Sequence, residues 1–138
     1  MKRYLLDTNH IGEALGRVSI VRDRIQQLHR SGHVFATCGP VLCELMVGVV
    51  NRSDSPRCRR CLEGLLKVVR VWPIEPVIAD HYAAIYHQLR TAGRALSQVD
   101  IMLAALTRQH QVTLLTTDLD FEALPQIPTE NWLINKAS

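Results

Sequence analysis

The sequence of 138 residues contains no apolar stretch that approaches the about 20 residues needed to cross a bilayer. It also lacks a charged start followed by an apolar segment and a small-residue cleavage site, because the apolar run after Arg3 is interrupted at Asp7. Apolar residues make up 47% and charged residues 21%, which is ordinary for a globular protein. We therefore expect a cytoplasmic protein without a membrane partner, folded as a single domain over residues 1–138.

No second C-x-x-C pair accompanies Cys58 and Cys61. A structural zinc site needs four ligands, commonly from two such pairs, whereas Cys38 and Cys43 are divided between a predicted strand end and a helix. A redox pair usually follows a strand and opens a helix, but "CRRC" falls inside a predicted arginine-rich helix. The pattern favours reduced thiols over zinc or redox chemistry, and any role of Cys58 and Cys61 stays open.

Acidic residues are scarce between Arg52 and Arg70. The formal net charge of the chain is only +3, from 16 basic and 13 acidic residues. This segment nevertheless contains six basic residues and only two acids, Asp54 and Glu63. Such a concentration of positive charge suits a polyanionic partner, and it suits a solvated helix face equally well. The sequence leaves both interpretations open.

Predicted strands and helices alternate along the chain, without internal repeats or low-complexity tracts. Apolar and β-branched runs predict strands at 3–6, 34–37, 67–74 and 112–117, with a last edge strand at 131–135. Helical spacing and capping residues predict helices at 9–15, 20–30, 40–50, 56–66, 77–92 and 98–110, and a short helix after residue 118. Strands separated by helices predict an α/β protein with a parallel sheet covered by helices on both faces.

Two acids follow predicted strands directly. Asp7 comes after "YLL" and Asp118 after "VTLLTT". In parallel α/β sheets, ligands bind beyond the carboxyl ends of the strands, where the strand order reverses. Taken alone, an acid such as Asp7 is more often the N-cap of the following helix than a ligand, and the same holds for Asp118 or Asp120. The choice between a cap and a site depends on the other acids of the chain.

Two further acids are the only charged residues of apolar helical segments. Glu44 lies in "VLCELMVGVV" and Asp100 in "VDIMLAAL", and neither has Lys or Arg three or four residues later. Burying an unpaired carboxylate is costly, so a partner is expected. That partner is either a distant arginine or a divalent cation, for which carboxylate oxygens are suitable ligands. A cation would also relieve the repulsion that raises the pKa of clustered carboxylates.

Four segments in order resemble one family. The segments "LLDTN", "ELMVG", "GRALSQVDIMLAAL" and "LLTTDLDF" are similar to those of the PIN-domain family, in particular its VapC ribonuclease toxins. The resemblance covers nearly the whole chain. It implies a three-layer α/β/α sandwich with a central, mainly parallel sheet, and an endoribonuclease that depends on Mg²⁺ or Mn²⁺. The acidic quartet it implies is Asp7, Glu44, Asp100 and Asp118.

The resemblance also implies individual roles. Asp7 and Asp100 are expected to bind the metal directly, with Glu44 and Asp118 as ligands or as partners through water. Accessory roles are expected for four more residues: Asp120 as an assisting acid, Thr8 and Asn9 as residues that cap the helix and orient Asp7, and Thr116 as a polar group near the metal or substrate. His10 stands where relatives often have an apolar residue, and we expect it on the surface or packed on a helix face rather than lining the site.

Partners follow from the same resemblance. An RNA substrate, a homodimer and a small antitoxin whose tail blocks the acidic site are implied. The apolar faces of helices 20–30 and 40–50 are candidates for the antitoxin groove, although core packing explains most of their apolar residues. A short gene immediately upstream that encodes a DNA-binding antitoxin would strongly support the toxin interpretation. No Ser or Cys nucleophile with an ordered His base is evident, which favours direct hydrolysis of the phosphodiester by metal-activated water.

Two alternatives remain at this stage. A PIN-like module could bind RNA or protein without cutting it. A phosphoryl-transfer domain also places acids after parallel strands. By resemblance, phosphatases of that type would have Asp-x-Asp after the first strand, whereas here the stretch is Asp7-Thr8-Asn9, which argues against that class. Receiver domains need a late lysine, and no lysine lies between Lys67 and Lys136.

Overall fold

The computed structural model describes residues 1–133 and alternates strands with pairs of helices. The strands are β1 (Arg3–Leu6), β2 (Val34–Cys38), β3 (Val69–Trp72), β4 (Thr113–Leu115) and β5 (Thr129–Glu130). The helices are α1 (Thr8–Ala14), α2 (Ile20–Arg30), α3 (Gly39–Val49), α4 (Ser55–Leu65), α5 (Ile78–Thr91) and α6 (Gln98–His110), with a 3-10 helix at Leu119–Ala123. No helix among these residues is long and apolar enough to span a bilayer.

The five strands form one parallel sheet in the order β3-β2-β1-β4-β5. Right-handed crossovers are the rule between parallel strands. Since β2 and β3 are added on one side of β1 and β4 on the other, this rule places α1–α4 on one face of the sheet and α5 and α6 on the opposite face. The predicted three-layer α/β/α architecture is therefore confirmed, and the strand order reverses between β1 and β4.

The central strands are covered on both faces, which explains their unbroken apolar sequence. Tyr4, Leu5 and Leu6 of β1 are 4%, 0% and 0% exposed, and Leu114 and Leu115 of β4 are completely buried. Leu5 is paired with Ala36 on one side and with Leu114 on the other. This burial makes β1 and β4 a rigid base for whatever side chains follow them.

Local capping signals place several helices correctly. The hydroxyl of Ser19 accepts a hydrogen bond from the backbone N–H of Arg22, and that of Ser97 accepts one from the backbone N–H of Asp100. Pro40 and Pro56 lie in the first turns of α3 and α4, where a missing N–H costs nothing. These ends were predicted because each depends on residues only three or four positions apart.

The last predicted strand is wrong in position. Pairing with β4 occurs at Thr129–Glu130, and residues 131–133 are not in a strand; positions 134 and 135 lie outside the described residues. The ring of Trp132 instead packs edge-on against Tyr4 and Phe35, with centroids 5.2 and 5.9 Å away. Trp132 is thus partly buried by aromatic packing rather than by pairing at a sheet edge.

The four cysteines are free thiols. Cys58 is 2% exposed and belongs to the core, while Cys61 is partly buried and its thiol approaches the carbonyl oxygen of Ala14 at 3.6 Å.

Nearby, the carboxylate of Asp54 accepts hydrogen bonds from the guanidinium groups of Arg52 and Arg57, and these bonds hold the pKa of Asp54 well below its ordinary value. Arg52 and Arg57 are therefore committed to holding the turn before α4.

Candidate active site

A polar cavity of about 240 Å³ lies at the carboxyl ends of β1 and β4, where the strand order reverses. This is the position at which parallel α/β sheets bind their ligands. The structure brings all four members of the predicted quartet to this cavity. The lining residues are Asp7, Thr8, Asn9, Glu44, Asp100, Thr117 and Asp118.

Asp7 both caps a helix and faces the cavity. Its Oδ1 accepts hydrogen bonds from the backbone N–H and from Nδ1 of His10, each at 2.8 Å, and its Oδ2 accepts one from the backbone N–H of Thr117 at 3.2 Å. The expectation that Thr8 and Asn9 cap the helix was wrong: Asp7 is the N-cap, and Thr8 is the first helical residue. The side chain of Asp7 is 8% exposed, so these bonds compensate most of its burial.

His10 is not on the surface. It is 0% exposed, and besides donating to Asp7 it accepts a hydrogen bond at Nε2 from the backbone N–H of Trp132, at 3.1 Å. A surface position was therefore a wrong expectation, while the helix-face position holds, since the ring lies on the inner face of α1 and does not line the cavity. Its spacing of three residues from an N-cap acid was the only signal in the sequence for the contact with Asp7.

Asp100 carries the clearest electrostatic signature of the site. Burial raises the pKa of its carboxyl group above the ordinary value, the hydrogen bond with Ser97 lowers it, and the negative charges of Asp118, Glu44 and Asp7 raise it further. Within residues 1–133, none of these largest contributions comes from a basic side chain. Asp100 is the third residue of α6, three residues after the cap Ser97, and at this position its side chain lies beside the other acids of the cavity.

Glu44 differs from the burial expected of a lone acid in an apolar helix. It is exposed on α3, while its neighbour Leu45 faces the core at 7% exposure. The carboxylate of Glu44 therefore stands in water at the rim of the cavity, and its position does not require a buried partner. The repulsion it exerts on Asp100 is the evidence that links it to the site.

The segment after β4 supplies one predicted residue and one that was missed. Asp118 caps the 3-10 helix by accepting a hydrogen bond from the backbone N–H of Asp120 at 2.8 Å. Thr116, the predicted polar group, is 5% exposed and accepts a hydrogen bond from the backbone N–H of Asp118. The cavity is lined instead by Thr117, whose Oγ1 accepts a hydrogen bond from the amide of Asn9 at 2.7 Å.

Asp120 does not line the cavity. Its carboxylate forms an ion pair with Arg94 at 2.7 Å, and both side chains are nearly half exposed. This pair joins the loop before α6 to the 3-10 helix. Asp120 is therefore paired with a basic side chain, whereas Asp118 of the same segment lines the cavity.

The donor set fits a hydrated hard cation. The lining groups are carboxylate, hydroxyl and amide oxygens, and no basic side chain lines the cavity in the part of the chain that the structure describes. Within residues 1–133, no group of three Asp, Glu, His or Cys side chains is close enough together to coordinate a single ion. Mg²⁺ typically keeps several waters and needs only one or two carboxylates, so the looser arrangement is compatible with it.

Asparagine at position 100 is expected to stabilise the metal-free protein. Because the folded-state pKa of Asp100 lies above the unfolded value of 3.8, its ionisation destabilises the fold as pH rises through that raised pKa. The Tm of Asp100→Asn in chelator should exceed that of the wild type at pH 7, and the gain should vanish as pH falls to 3.8 and below. Calorimetry across this pH range measures it. The exposed first-turn acid of α5, changed as Asp80→Asn, is the control that should show no such gain.

Comparisons with known proteins identify the family and support the fold. The PIN domain family model matches residues 4–127. Ribonuclease VapC2 from Haemophilus influenzae is 24% identical over 134 residues, covering 96% of this chain and 100% of that protein. Among solved structures, VapBC2 from Rickettsia felis, bound to a DNA fragment from its promoter, matches with a TM-score of 0.83 at 21% identity over 94% of this chain and 98% of that one. DNA-bound VapBC from Salmonella typhimurium matches with a TM-score of 0.79 at 25% identity, covering 96% and 99%.

Proposed function

Because this chain belongs to the PIN-domain family, we propose that it is a divalent-metal-dependent endoribonuclease and the toxin of a toxin–antitoxin pair. The observation that carries the proposal is the set of four carboxylates, from four separate chain segments, around one cavity where the strand order reverses. A relative that matches over 96% of the chain is named a ribonuclease. Membership of this family sets aside the receiver-like and phosphatase-like alternatives.

Mg²⁺ or Mn²⁺ is the cofactor we propose for the cavity. Asp7 and Asp100 would hold the ion directly, and Glu44 and Asp118 would hold it directly or through water. When bound, such an ion supplies a Lewis acid that activates water and stabilises negative charge on a phosphate. The proposal is supported by the oxygen donors of the cavity and by the raised pKa of Asp100, whose carboxylate has like charges nearby, while none of the lining residues in the described part of the chain is basic.

Thr117 is proposed to orient the phosphate or the attacking water. Its Oγ1 already accepts a hydrogen bond from the amide of Asn9, so its own proton is free to be donated into the cavity. A fixed donor in a polar pocket can hold an anionic oxygen without moving during the reaction. We therefore propose Thr117, rather than Thr116, as the polar group near the metal or substrate.

RNA is the proposed substrate, and the remaining basic residues of the segment between Arg52 and Arg70 are its proposed contacts. Arg52 and Arg57 are tied to Asp54. The basic side chains that remain exposed there are Arg59, Arg60, Lys67 and Arg70. Exposed arginines and lysines bind phosphates with a strong dependence on salt, so cleavage of RNA should weaken as ionic strength rises.

The test of the proposed function is an RNA cleavage assay with purified protein. A metal-free preparation should leave a labelled RNA intact, Mg²⁺ or Mn²⁺ should start cleavage, and excess EDTA should stop it. Titration calorimetry with Mn²⁺ runs alongside and distinguishes an inert binding module, which has no reason to bind the ion. Cleavage that continues unchanged in EDTA would refute the metal dependence, and a protein that binds Mn²⁺ but cuts no RNA would refute the nuclease.

We propose that a small antitoxin occupies a groove of about 400 Å³ between α1, α3 and α4, and so silences the site. The groove is lined by Gly12, Glu13, Leu15, Gly16, Leu45, Gly48, Val49, Arg52 and Cys58, to which α2 contributes nothing. It begins one helical turn beyond the cavity, because Glu44 lines the cavity and Gly48 the groove. Two of the similar solved structures, those from Rickettsia felis and Salmonella typhimurium, are DNA-bound VapBC. The homodimer that the resemblance implies stays a prediction.

A further inference from the structure

His10 joins the first acid of the cavity to the C-terminal segment. Its imidazole is 0% exposed, lies on α1, and uses both ring nitrogens: Nδ1 is 2.8 Å from Oδ1 of Asp7, and Nε2 is 3.1 Å from the backbone nitrogen of Trp132. We propose that His10 is a positioning residue, which fixes the carboxylate of Asp7 in the orientation that a divalent cation requires. This inference rests on the proposed function, since it concerns the same cation.

The backbone of Trp132 determines which ring nitrogen carries the proton. A backbone N–H can only donate, so Nε2 of His10 must accept and must be unprotonated. The neutral ring therefore carries its proton on Nδ1 and donates it to Oδ1 of Asp7. The partner that sets this tautomer lies 122 residues away in the sequence.

Trp132 is itself firmly held. Its ring packs edge-on against Tyr4 and Phe35, and the guanidinium group of Arg24 lies 4.0 Å from the ring centroid on its face. The indole N–H donates to a carboxylate oxygen of Glu130 at 3.1 Å. With the indole held in this way, the backbone N–H that donates to His10 is also held in place beside the sheet.

The ring donor adds something that the helix cap does not. Rotation of a carboxylate about its last side-chain bond is soft, and the cap bond from the backbone N–H of His10 leaves either oxygen able to take its place. A second donor on the same Oδ1, together with the backbone N–H of Thr117 on Oδ2, holds both oxygens at once. Oδ2 accepts only that one bond among the described residues and so keeps a second lone pair, and Asp7 lines the cavity.

An apolar side chain of similar size would fill the same space without the cost of burying an imidazole. The advantage of histidine at this position is therefore its pair of hydrogen bonds. One of them holds a proposed metal ligand and the other holds the C-terminal segment. Separate substitutions can remove each bond alone.

His10→Asn and His10→Gln form a matched pair. The amide of asparagine reaches the place of Nδ1 and can still donate to Asp7, whereas the amide of glutamine reaches the place of Nε2 and can still accept from Trp132. His10→Leu removes both bonds. Each amide variant loses one buried hydrogen bond, so Tm should fall by similar amounts in the two.

Mn²⁺ affinity by titration calorimetry, and kcat and KM for RNA, should separate the pair. We expect His10→Gln and His10→Leu to bind Mn²⁺ about 10–100-fold more weakly than the wild type, as is usual when a partner of a metal ligand is removed. Their kcat should fall while KM for RNA is unchanged. His10→Asn should bind Mn²⁺ and cleave RNA nearly as the wild type does, at the same lowered Tm.

Equal losses in His10→Asn and His10→Gln, following Tm, would overturn the inference and leave His10 a structural residue. So would Mn²⁺ binding by His10→Leu at wild-type affinity. If His10→Gln does not fold, the comparison of His10→Asn with His10→Leu decides. A wild type that binds Mn²⁺ but cuts no RNA refutes the nuclease alone, because the ranking of the variants in Mn²⁺ affinity still tests His10. A wild type that binds no Mn²⁺ overturns both proposals.

Discussion

Asp7→Asn is expected to reduce RNA cleavage by more than about a hundredfold. Substituting a residue that only orients a metal ligand already lowers metal affinity or activity about 10–100-fold, and Asp7 is proposed as a ligand itself. The amide keeps one oxygen, which can still accept the cap bond from the backbone N–H of His10. Its nitrogen then occupies the place of Oδ2, where it can neither accept from the backbone N–H of Thr117 nor bind a cation. The cavity loses a negative charge and a ligand together.

The fold should survive this change, because asparagine is about as good an N-cap as aspartate. Cleavage of a labelled RNA in Mn²⁺ and the Tm of the same preparation are the two measurements. Asp23→Asn is the matched control, since Asp23 is an exposed acid in the first turn of α2 and does not line the cavity. Activity in Asp7→Asn at the level of Asp23→Asn would contradict the assignment of the site.

Gly48→Trp is expected to weaken inhibition by the antitoxin on the order of a hundredfold, equivalent to about 3 kcal/mol. A Cβ built at Gly48 meets no atom within 4 Å, and Gly48 lines the groove between α1, α3 and α4. The added side chain would therefore start in open space, within the groove that an inhibitory segment needs. A steric clash of this kind discriminates against a partner while leaving the fold intact.

Gly64→Trp is the control for bulk and for the change of a helical glycine. A Cβ at Gly64 also meets nothing within 4 Å, and Gly64 is exposed on α4 without lining the groove. Both variants are titrated with the antitoxin, which is sought as the product of a short gene immediately upstream, and residual RNA cleavage is measured. Inhibition of Gly48→Trp at wild-type concentrations would place the antitoxin elsewhere, whereas escape of both variants would show a nonspecific effect.

Groups that act over a few residues were readable from the sequence. Ser19 and Ser97 each cap a helix by accepting a hydrogen bond from the backbone N–H three positions later. The apolar runs of β1 and β4 predict strands that are covered on both faces. The parallel sheet followed from the alternation of strands and helices. The set of four isolated acids followed too, because each stands out against an apolar neighbourhood.

The sequence could not decide which of two adjacent threonines faces the cavity. β4 ends at Leu115, and the turn that follows buries Thr116 against Asp118 and leaves Thr117 beside Asn9. The direction of a side chain after a strand depends on the turn that the chain takes, and this turn is held by contacts with residues over 100 positions away. No local pattern contains that information.

By itself, the sequence determined the kinds of element, their order, and the four acids at 7, 44, 100 and 118. Each of these depends on periodicity, capping or composition within a short window. Only the tertiary structure decided that Asp7 is both a cap and a lining residue, that Glu44 stays in water, and that Asp120 pairs with Arg94. It alone joined His10 to Trp132, because hydrogen bonds between distant segments exist only once the sheet has brought them together.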